Sequence, residues 1–167
     1  MEKKFTHLDE SGNPQMVDVG AKAVSRRTAR AQCIVRLGKE VMTQLQGQDW
    51  HSPKGPVFQT AILAGIMGAK KTGELIPLCH PLGLDNCQVE IAVNEGNEVV
   101  VRCTASITAK TGVEMEALTG ASIAALTIYD MCKALSHDIV ISELKLMEKT
   151  GGKRDFIRKE ESATPPS

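Results

Sequence analysis

The sequence is poor in aromatic residues, with one tryptophan, one tyrosine and three phenylalanines among its 167 residues. Aliphatic, alanine and methionine side chains must therefore fill most of the core. Long apolar runs are also lacking, since no stretch approaches the roughly eighteen apolar residues that a membrane-spanning helix needs. The charged start, Met1-Glu2-Lys3-Lys4-Phe5, is followed by no apolar segment of the kind that a secretory signal requires. We therefore expect a soluble, cytoplasmic protein with no membrane partner.

A net charge is lacking as well, because 20 acidic residues balance 20 basic ones. No overall field attracts nucleic acid, so any anion site must be a local cluster. The five cysteines include no Cys-x-x-Cys pair, and their odd number argues against a complete disulfide framework. A reducing compartment fits this pattern.

Several signature motifs are absent, and each absence removes a class of protein. The chain has neither Gly-x-x-x-x-Gly-Lys-Ser/Thr nor Gly-x-Gly-x-x-Gly, which excludes the ordinary nucleotide-binding loops. It lacks the Pro-Cys-x-x-Cys half of a zinc deaminase, so we predict no metal site. The segment Ser142-Glu143-Leu144-Lys145 matches the Ser-x-x-Lys of penicillin-recognising enzymes, but it falls on a predicted strand and no Ser-Asp-Asn accompanies it.

Hydrophobic periodicity predicts a single α+β domain. Alternating apolar residues predict strands over residues 28–37, 87–93, 99–107 and 139–147, and Glu95-Gly96-Asn97 joins the middle two as a hairpin. Helical patterns cover residues 39–46, 57–72 and 113–135. This order of elements is the split β-α-β pattern, and it predicts a ferredoxin-like antiparallel sheet with helices packed on one face.

The predicted domain spans residues 25–155. Residues 1–24 combine turn residues with one short apolar stretch at residues 16–19, which indicates an N-terminal arm of the kind that often reaches a partner subunit. Residues 156–167 end in Pro-Pro-Ser, and we predict that they form a disordered tail.

Charged residues stand out on the last predicted helix, which is otherwise apolar. At about 100° per residue, Glu116, Asp130 and Lys133 share one side of the helix, whereas Glu114 points roughly the opposite way. Asp130 and Lys133 are three residues apart and can form an ion pair. Two interpretations stay open: a structural ion pair, or an acid/base pair in which each group fixes the ionisation of the other.

The length of this helix limits which residues can share a site. Glu116 and Asp130 are fourteen residues apart in the chain, which corresponds to about 21 Å along a straight helix. One small-molecule pocket in one subunit cannot easily hold both. Either the two helix ends serve different pockets, or a symmetric partner brings the opposite end alongside, and we favour the second arrangement.

The segment Ile76-Pro77-Leu78-Cys79-His80-Pro81 fixes its backbone with two prolines and so presents a side chain in one orientation. His80 is the candidate, because imidazole titrates near neutral pH. A nucleophilic pair of Cys79 and His80 is less favoured, since adjacent residues of an extended segment point to opposite faces. On these residues alone, a purely structural role for His80 also stays open.

Basic residues offer an anion site. The run Lys110-Thr111-Gly112 opens the last helix, where free backbone N–H groups and the helix dipole favour an anion. Other basic side chains could converge on phosphates, namely Arg27, Lys54, Lys70, Lys71, Lys133 and Lys153.

Four segments, in this order, resemble the molybdenum cofactor biosynthesis protein C family. They are Met16-Val17-Asp18-Val19, the segment 76–81 described above, Lys110-Thr111-Gly112-Val113-Glu114-Met115-Glu116-Ala117-Leu118-Thr119 and Ile128-Tyr129-Asp130-Met131-Cys132-Lys133-Ala134. The resemblance extends over nearly the whole chain, from residue 6 to residue 152.

The resemblance implies a lyase of molybdenum cofactor biosynthesis. The family's substrate is (8S)-3',8-cyclo-7,8-dihydroguanosine 5'-triphosphate, which an upstream radical enzyme supplies, and its products are cyclic pyranopterin monophosphate and diphosphate. The chemistry is acid/base and electrostatic, so no bound cofactor is implied, while Mg²⁺ accompanying the triphosphate stays open. The family's ferredoxin-like subunits form a homohexamer, a trimer of dimers, with active sites shared across dimer interfaces.

Carried over position by position, the resemblance assigns catalysis to Asp130, Lys133 and Lys54. The positions implied to bind the substrate, its triphosphate included, are Leu78, Cys79, His80, Glu114, Met115, Glu116, Arg27, Lys70 and Lys153. Around Lys54 the run His51-Ser52-Pro53-Lys54-Gly55-Pro56 has prolines where other residues are expected, which leaves the shape of this loop open. If Lys54 and Lys133 meet across an interface, mixed oligomers of their inactive variants should recover activity.

A second class of function stays open, a non-catalytic ferredoxin-like module that binds a small anionic effector at its dimer interface. A buried Asp130 beside Lys133 would argue against this module, because an anion sensor gains nothing from an added carboxylate at its site.

Overall fold

The computed structural model of the chain describes residues 6–159. Its main sheet consists of β1 (Ser25–Arg36), β4 (Asn86–Val93), β5 (Val99–Ala109), β6 (Val140–Thr150) and β7 (Phe156–Ile157). A small hairpin consists of β2 (His51–Ser52) and β3 (Gly55–Pro56). The helices are α1 (Lys39–Gly47), α2 (Val57–Lys70), α3 (Thr72–Leu75) and α4 (Glu114–Cys132). Among the described helices, none is both long and apolar enough to cross a membrane.

The main sheet is antiparallel throughout, in the order β4-β5-β1-β6-β7. The first long strand of the chain lies in the centre, between β5 and β6, as in a ferredoxin-like sheet. Helix α4 packs on β1 and β5, and α2 packs on β4 and on α4, so these helices cover one face. The predicted α+β fold is therefore confirmed, including the hairpin of β4 and β5.

Small residues bring the helices close to the sheet. Alternate residues of β1, such as Ala31 and Cys33, are fully buried beneath α4. A Cβ atom added at Gly65 of α2 would lie 2.9 Å from the carbonyl oxygen of Gly120 on α4, and one added at Gly120 would lie 2.5 Å from Sγ of Cys103. Helix α4 is therefore held tightly on both sides, which fixes the position of its two ends.

Two predicted boundaries are wrong. The helix predicted over residues 57–72 ends at Lys70, and α3 begins at Thr72, whose hydroxyl donates to the carbonyl of Ala69 at 2.9 Å. Gly73 does not end α2 but allows close packing, since a Cβ there would lie 3.0 Å from Cα of Pro81.

The second difference lies near the C-terminus. The sequence placed Phe156 and Ile157 in a disordered tail, but in the structure they form β7, in which Phe156 pairs with Lys149 and Ile157 with Glu148. Backbone pairing with β6 orders this segment. Residues 160–167 of the predicted tail lie outside the described residues. The division into an arm and a single domain stays a prediction.

We expect Gly120→Ala to destabilise the fold by about 1–3 kcal/mol, the usual cost of overpacking. The added methyl group would press on Cys103, which cannot move away without disturbing the buried face of β5. Gly47→Ala at the end of α1 is the control, because nothing lies within 4 Å of a Cβ at that position. Urea denaturation of both variants measures the difference. Equal stability of the two variants would contradict the close packing at Gly120.

Candidate active site

Reactive side chains gather at the two opposite ends of α4. Glu114 and Glu116 lie in its first turn, and Asp130 lies in its last turn. The structure describes a cluster of three charged residues around Asp130 and three neighbouring cavities near Glu114 and Glu116.

The lysine–aspartate cluster consists of Lys54, Asp130 and Lys133. Nζ of Lys54 lies 2.8 Å from Oδ2 of Asp130, and Nζ of Lys133 lies 2.9 Å from Oδ1. Nζ of Lys54 also donates to the backbone carbonyl of Asp130 at 3.2 Å. Hydrogen bonds from Lys54 and then Lys133 lower the pKa of Asp130 from 3.8 to about 2. Asp130 is therefore a carboxylate near neutral pH, and it holds two ammonium groups side by side.

The hairpin of β2 and β3 positions Lys54. Pro53 and Lys54 occupy the turn, and Gly55 follows with a φ of 115°, a conformation that favours glycine. The backbone N–H of Lys54 donates to Oγ of Ser52 at 3.1 Å. Nearby, Trp50 stacks on Phe58 with ring centroids 4.6 Å apart, which anchors the hairpin to the start of α2. From the sequence, Pro53 and Pro56 left the shape of this loop undetermined, and in the structure they fit a tight turn.

Two arrangements that the sequence left open for this cluster are not found in the single chain. Asp130 is not buried, because 53% of its side chain is exposed, together with 53% of Lys54 and 55% of Lys133. Burial of Asp130 therefore cannot distinguish an enzyme from an anion-binding module. Lys54 and Lys133 also meet within one chain, through the carboxylate that they share. Exchange of subunits between Lys54 and Lys133 variants is consequently not expected to restore a site.

A cavity of about 500 Å³ lies at the other end of α4. Six of the nine residues that the resemblance places at the substrate line it together, namely Leu78, Cys79, His80, Glu114, Met115 and Glu116. Glu116 is only 4% exposed, and this burial raises the pKa of its carboxyl group, as does the charge of Glu114, whereas His80 opposes the shift. Burial and the charge of Glu116 raise the pKa of the Cys79 thiol, which disfavours a thiolate there.

A hydrogen bond to the N-terminal arm orients His80. Its Nε2 atom lies 2.7 Å from the backbone carbonyl oxygen of Val17. A carbonyl oxygen can only accept, so Nε2 carries the proton of this bond. Val17 and Val19 also line the cavity. The arm, of a kind that often reaches a partner subunit, thus contacts the cavity of its own chain.

A second cavity, of about 370 Å³, lies beside the first one and is rich in basic side chains. It is lined by Arg27, Lys149, Lys153 and Arg154 together with Glu114. Nζ of Lys149 lies 3.1 Å from Oε1 of Glu114, and both residues line both cavities. Glu114 was expected to point away from Glu116, but at the helix start both carboxyl groups reach the same cavity.

A glycine turn shapes the basic cavity. Gly151 has a φ of 85°, and a Cβ atom there would collide with the carbonyl oxygen of Arg26. Oγ of Ser25 donates to the carbonyl of Gly151 at 2.7 Å, and the N–H of Gly151 donates to Oδ1 of Asp155 at 3.1 Å. These contacts fold the chain after β6 back over β1. Lys153 therefore comes next to Arg27, and the same two residues line a third cavity, of about 620 Å³.

Lys70 does not join these residues. It is exposed at the end of α2 and lines none of the three cavities. Sequence reasoning also missed three basic residues that line them, Lys22, Lys149 and Arg154. Lys149 opens a Lys-Thr-Gly run in the sequence, as Lys110 does, but only the register of β6 against β1 places it beside Glu114. Over residues 6–159, no three His, Cys, Asp or Glu side chains are grouped as a metal site.

The chain is similar to known proteins over most of its length. The MoaC family model matches residues 16–152. A cyclic pyranopterin monophosphate synthase of Xanthomonas axonopodis pv. citri (strain 306) is 53% identical over 153 residues, which cover 92% of this chain and 93% of that protein. The synthase of the same name from Xanthomonas oryzae pv. oryzae (strain MAFF 311018) is 51% identical with the same coverage.

A longer relative is also similar. A molybdenum cofactor biosynthesis bifunctional protein of Synechocystis sp. is 52% identical over 155 residues, which cover 90% of this chain. The chain spans 45% of the length of that protein.

We expect Lys54→Met to raise the pKa of Asp130 from about 2 towards 3.8, because it removes the stronger of the two hydrogen bonds. Lys133→Met should raise it by a smaller amount. In the wild type, Asp130 stays ionised until the pH falls to its lowered pKa of about 2. Its ion pairs with Lys54 and Lys133 are lost only below that pH. A carboxyl-carbon NMR titration measures the shift, with Lys71→Met as the control. An unchanged titration of Asp130 in Lys54→Met would contradict the bridged geometry.

Proposed function

We infer the function from the premise that the chain belongs to the MoaC family. It is a lyase of molybdenum cofactor biosynthesis that converts (8S)-3',8-cyclo-7,8-dihydroguanosine 5'-triphosphate to cyclic pyranopterin monophosphate and diphosphate. One observation carries this conclusion: relatives that bear the synthase name are 51% and 53% identical to the chain over 93% of their own length.

The lysine–aspartate cluster supplies ammonium groups for proton transfer and charge stabilisation. Opening a purine ring and closing a pterin ring require groups that donate and accept protons at nitrogen and oxygen. Asp130 holds Lys54 and Lys133 in place by its two oxygens. We assign these three residues to catalysis, with Asp130 as the anionic anchor and the lysines as proton donors to the developing charge.

The cavities at the start of α4 supply the binding groups. His80, Cys79, Leu78 and Met115 form walls for the heterocycle around the buried carboxyl group of Glu116. Arg27, Lys149 and Lys153 face the triphosphate, where their charge offsets the charge of the departing diphosphate. The proposal includes no bound cofactor, because these acid/base groups suffice, and Mg²⁺ would enter only as a counterion of the triphosphate.

The complete site takes residues from two subunits. The lysine–aspartate cluster and the cavity around Glu116 lie at opposite ends of α4, about 21 Å apart along the helix. A two-fold partner, oriented so that its α4 runs the other way, places its cluster beside this cavity. Leu63, Met67 and Leu126 expose more than half of their surface on the helices, which fits further subunit contacts. We therefore propose a homohexamer, a trimer of dimers, in the cytoplasm, where a radical enzyme supplies the substrate.

We expect Asp130→Asn and Lys133→Met each to lower the rate of product formation by about a hundredfold or more, because Lys133 is a proton donor and Asp130 anchors both lysines. The cluster is exposed in the single chain, so neither variant should disturb folding. Liquid chromatography of products from the cyclised nucleotide measures the rate, and Lys39→Met is the control. Binding of the nucleotide by the wild type without turnover would instead support the anion-binding module.

Mixed oligomers test whether the site is shared. Lys133→Met removes a group at the end of α4, and Glu116→Gln removes one at its start. In dimers of the two variants, one of the two shared sites keeps both native residues, so equal mixing should restore about a quarter of the sites. Mixtures of Lys54→Met with Lys133→Met should restore none, because both residues belong to one cluster. Equal recovery in the two mixtures would contradict the shared site.

A further inference from the structure

The N-terminal arm forms a wall of the cavity that contains His80 and Glu116. Residues 17–22, here called the arm turn, contribute Val17, Val19 and Lys22 to this wall. The arm turn precedes β1 and contains no helix or strand. Its position must therefore come from particular contacts rather than from a sheet or helix.

Internal hydrogen bonds give the arm turn a defined shape. The backbone N–H of Gly20 donates to Oδ1 of Asp18 at 2.7 Å. The backbone N–H of Lys22 donates to the carbonyl of Val19 at 3.0 Å. These two bonds connect neighbouring peptide groups of the turn. A displacement of the Gly20 carbonyl therefore also displaces the Val17 carbonyl, three residues earlier.

Two further hydrogen bonds attach the arm turn to the site. Nζ of Lys110 donates to the carbonyl oxygen of Gly20 at 2.7 Å. Nε2 of His80 donates to the carbonyl oxygen of Val17 at the same distance. Asp18, Gly20 and Lys22 are exposed, so apolar burial contributes little to holding this turn. The ammonium group of Lys110 is thus a main anchor of the turn, through a charge-assisted hydrogen bond.

We propose that Lys110 is a positioning residue for His80 and acts through the arm turn. By holding the Gly20 carbonyl, Lys110 keeps the Val17 carbonyl against Nε2 of His80. This bond fixes the proton on Nε2 and leaves Nδ1 as the ring nitrogen that can exchange a proton with a bound molecule. The inference rests on the proposed function, and it gives Lys110 a role in the reaction without contact with the reacting atoms.

The test uses three variants of the full chain. Lys110→Met removes the donor, Lys110→Arg keeps a charged donor, and Lys39→Met removes an exposed lysine of α1 that lines none of the three cavities. Nitrogen NMR of the His80 ring, recorded where the ring is neutral, reports which nitrogen carries the proton. Steady-state kinetics with the cyclised nucleotide provides kcat and KM separately.

The wild type and Lys39→Met should show His80 protonated on Nε2, and Lys110→Met should show a mixture of both forms. We expect kcat of Lys110→Met to fall by about ten- to a hundredfold, as misplacement of a group that orients the substrate does, with less change in KM. Lys110→Arg should recover most of the loss. Lys110→Gln, a fourth variant of the full chain, also removes the charged donor to the Gly20 carbonyl and should produce the same mixture, which keeps the test valid if Lys110→Met fails to fold.

The outcomes distinguish a failure of the positioning role of Lys110 from a failure of the proposed function. An unchanged His80 spectrum in Lys110→Met would overturn the positioning role, even if the rate fell, because Lys110 would then act on the substrate directly. A wild type that binds but never converts the nucleotide would overturn the proposed function. The NMR comparison requires no turnover, so in that case it still decides whether Lys110 positions His80.

Discussion

One rigid helix separates the two groups of reactive side chains, and its length governs how the site is built. Glu116 and Asp130 belong to the first and last turns of α4, about 21 Å apart. Gly65 and Gly120 let α4 pack so closely on α2 and β5 that it cannot slide to bring its ends together. In the proposed site, a substrate as small as one nucleotide therefore receives part of its contacts from a second copy of the chain.

The two ends of α4 also differ in electrostatics. Two ammonium groups hold Asp130 as a carboxylate, with a pKa of about 2, whereas burial raises the pKa of Glu116 and favours its protonated form. Environments that separate the pKa values of two carboxyl groups are typical of sites that divide acid and base roles. A symmetric dimer would place these two carboxyl groups in one site. Asp130 would then enter the shared site as a carboxylate beside Glu116, whose burial favours the protonated form.

Much of the fold could be predicted from the sequence, because it depends on local periodicity. Alternation predicted the strands and the hairpin at Glu95-Gly96-Asn97, and the order of elements predicted the sheet. The end of α2 could not be predicted, because Gly73, the residue that indicated it, lies in α3 and packs against Pro81 instead. The pairing of Phe156 and Ile157 with β6 is likewise a contact that no local pattern reveals.

The site was predicted less completely, for the same reason. The proline-flanked segment around His80 and the charges on α4 were recognisable one by one. Whether Asp130 is buried could not be predicted from its apolar helix, because it lies on the exposed side of a last turn whose Met131 and Cys132 are buried. Lys149 was missed because its place beside Glu114 depends on a strand register with bulges that the sequence does not display. The bond between His80 and Val17 joins residues 63 positions apart.

The central claim is that one substrate is held by opposite ends of α4 from two subunits. A crystal structure of the Asp130→Asn variant with the cyclised nucleotide bound would test it most directly. The account predicts that the nucleotide contacts His80 and Glu116 of one subunit and the lysine–aspartate cluster of another. A nucleotide whose protein contacts all come from a single chain would contradict the account.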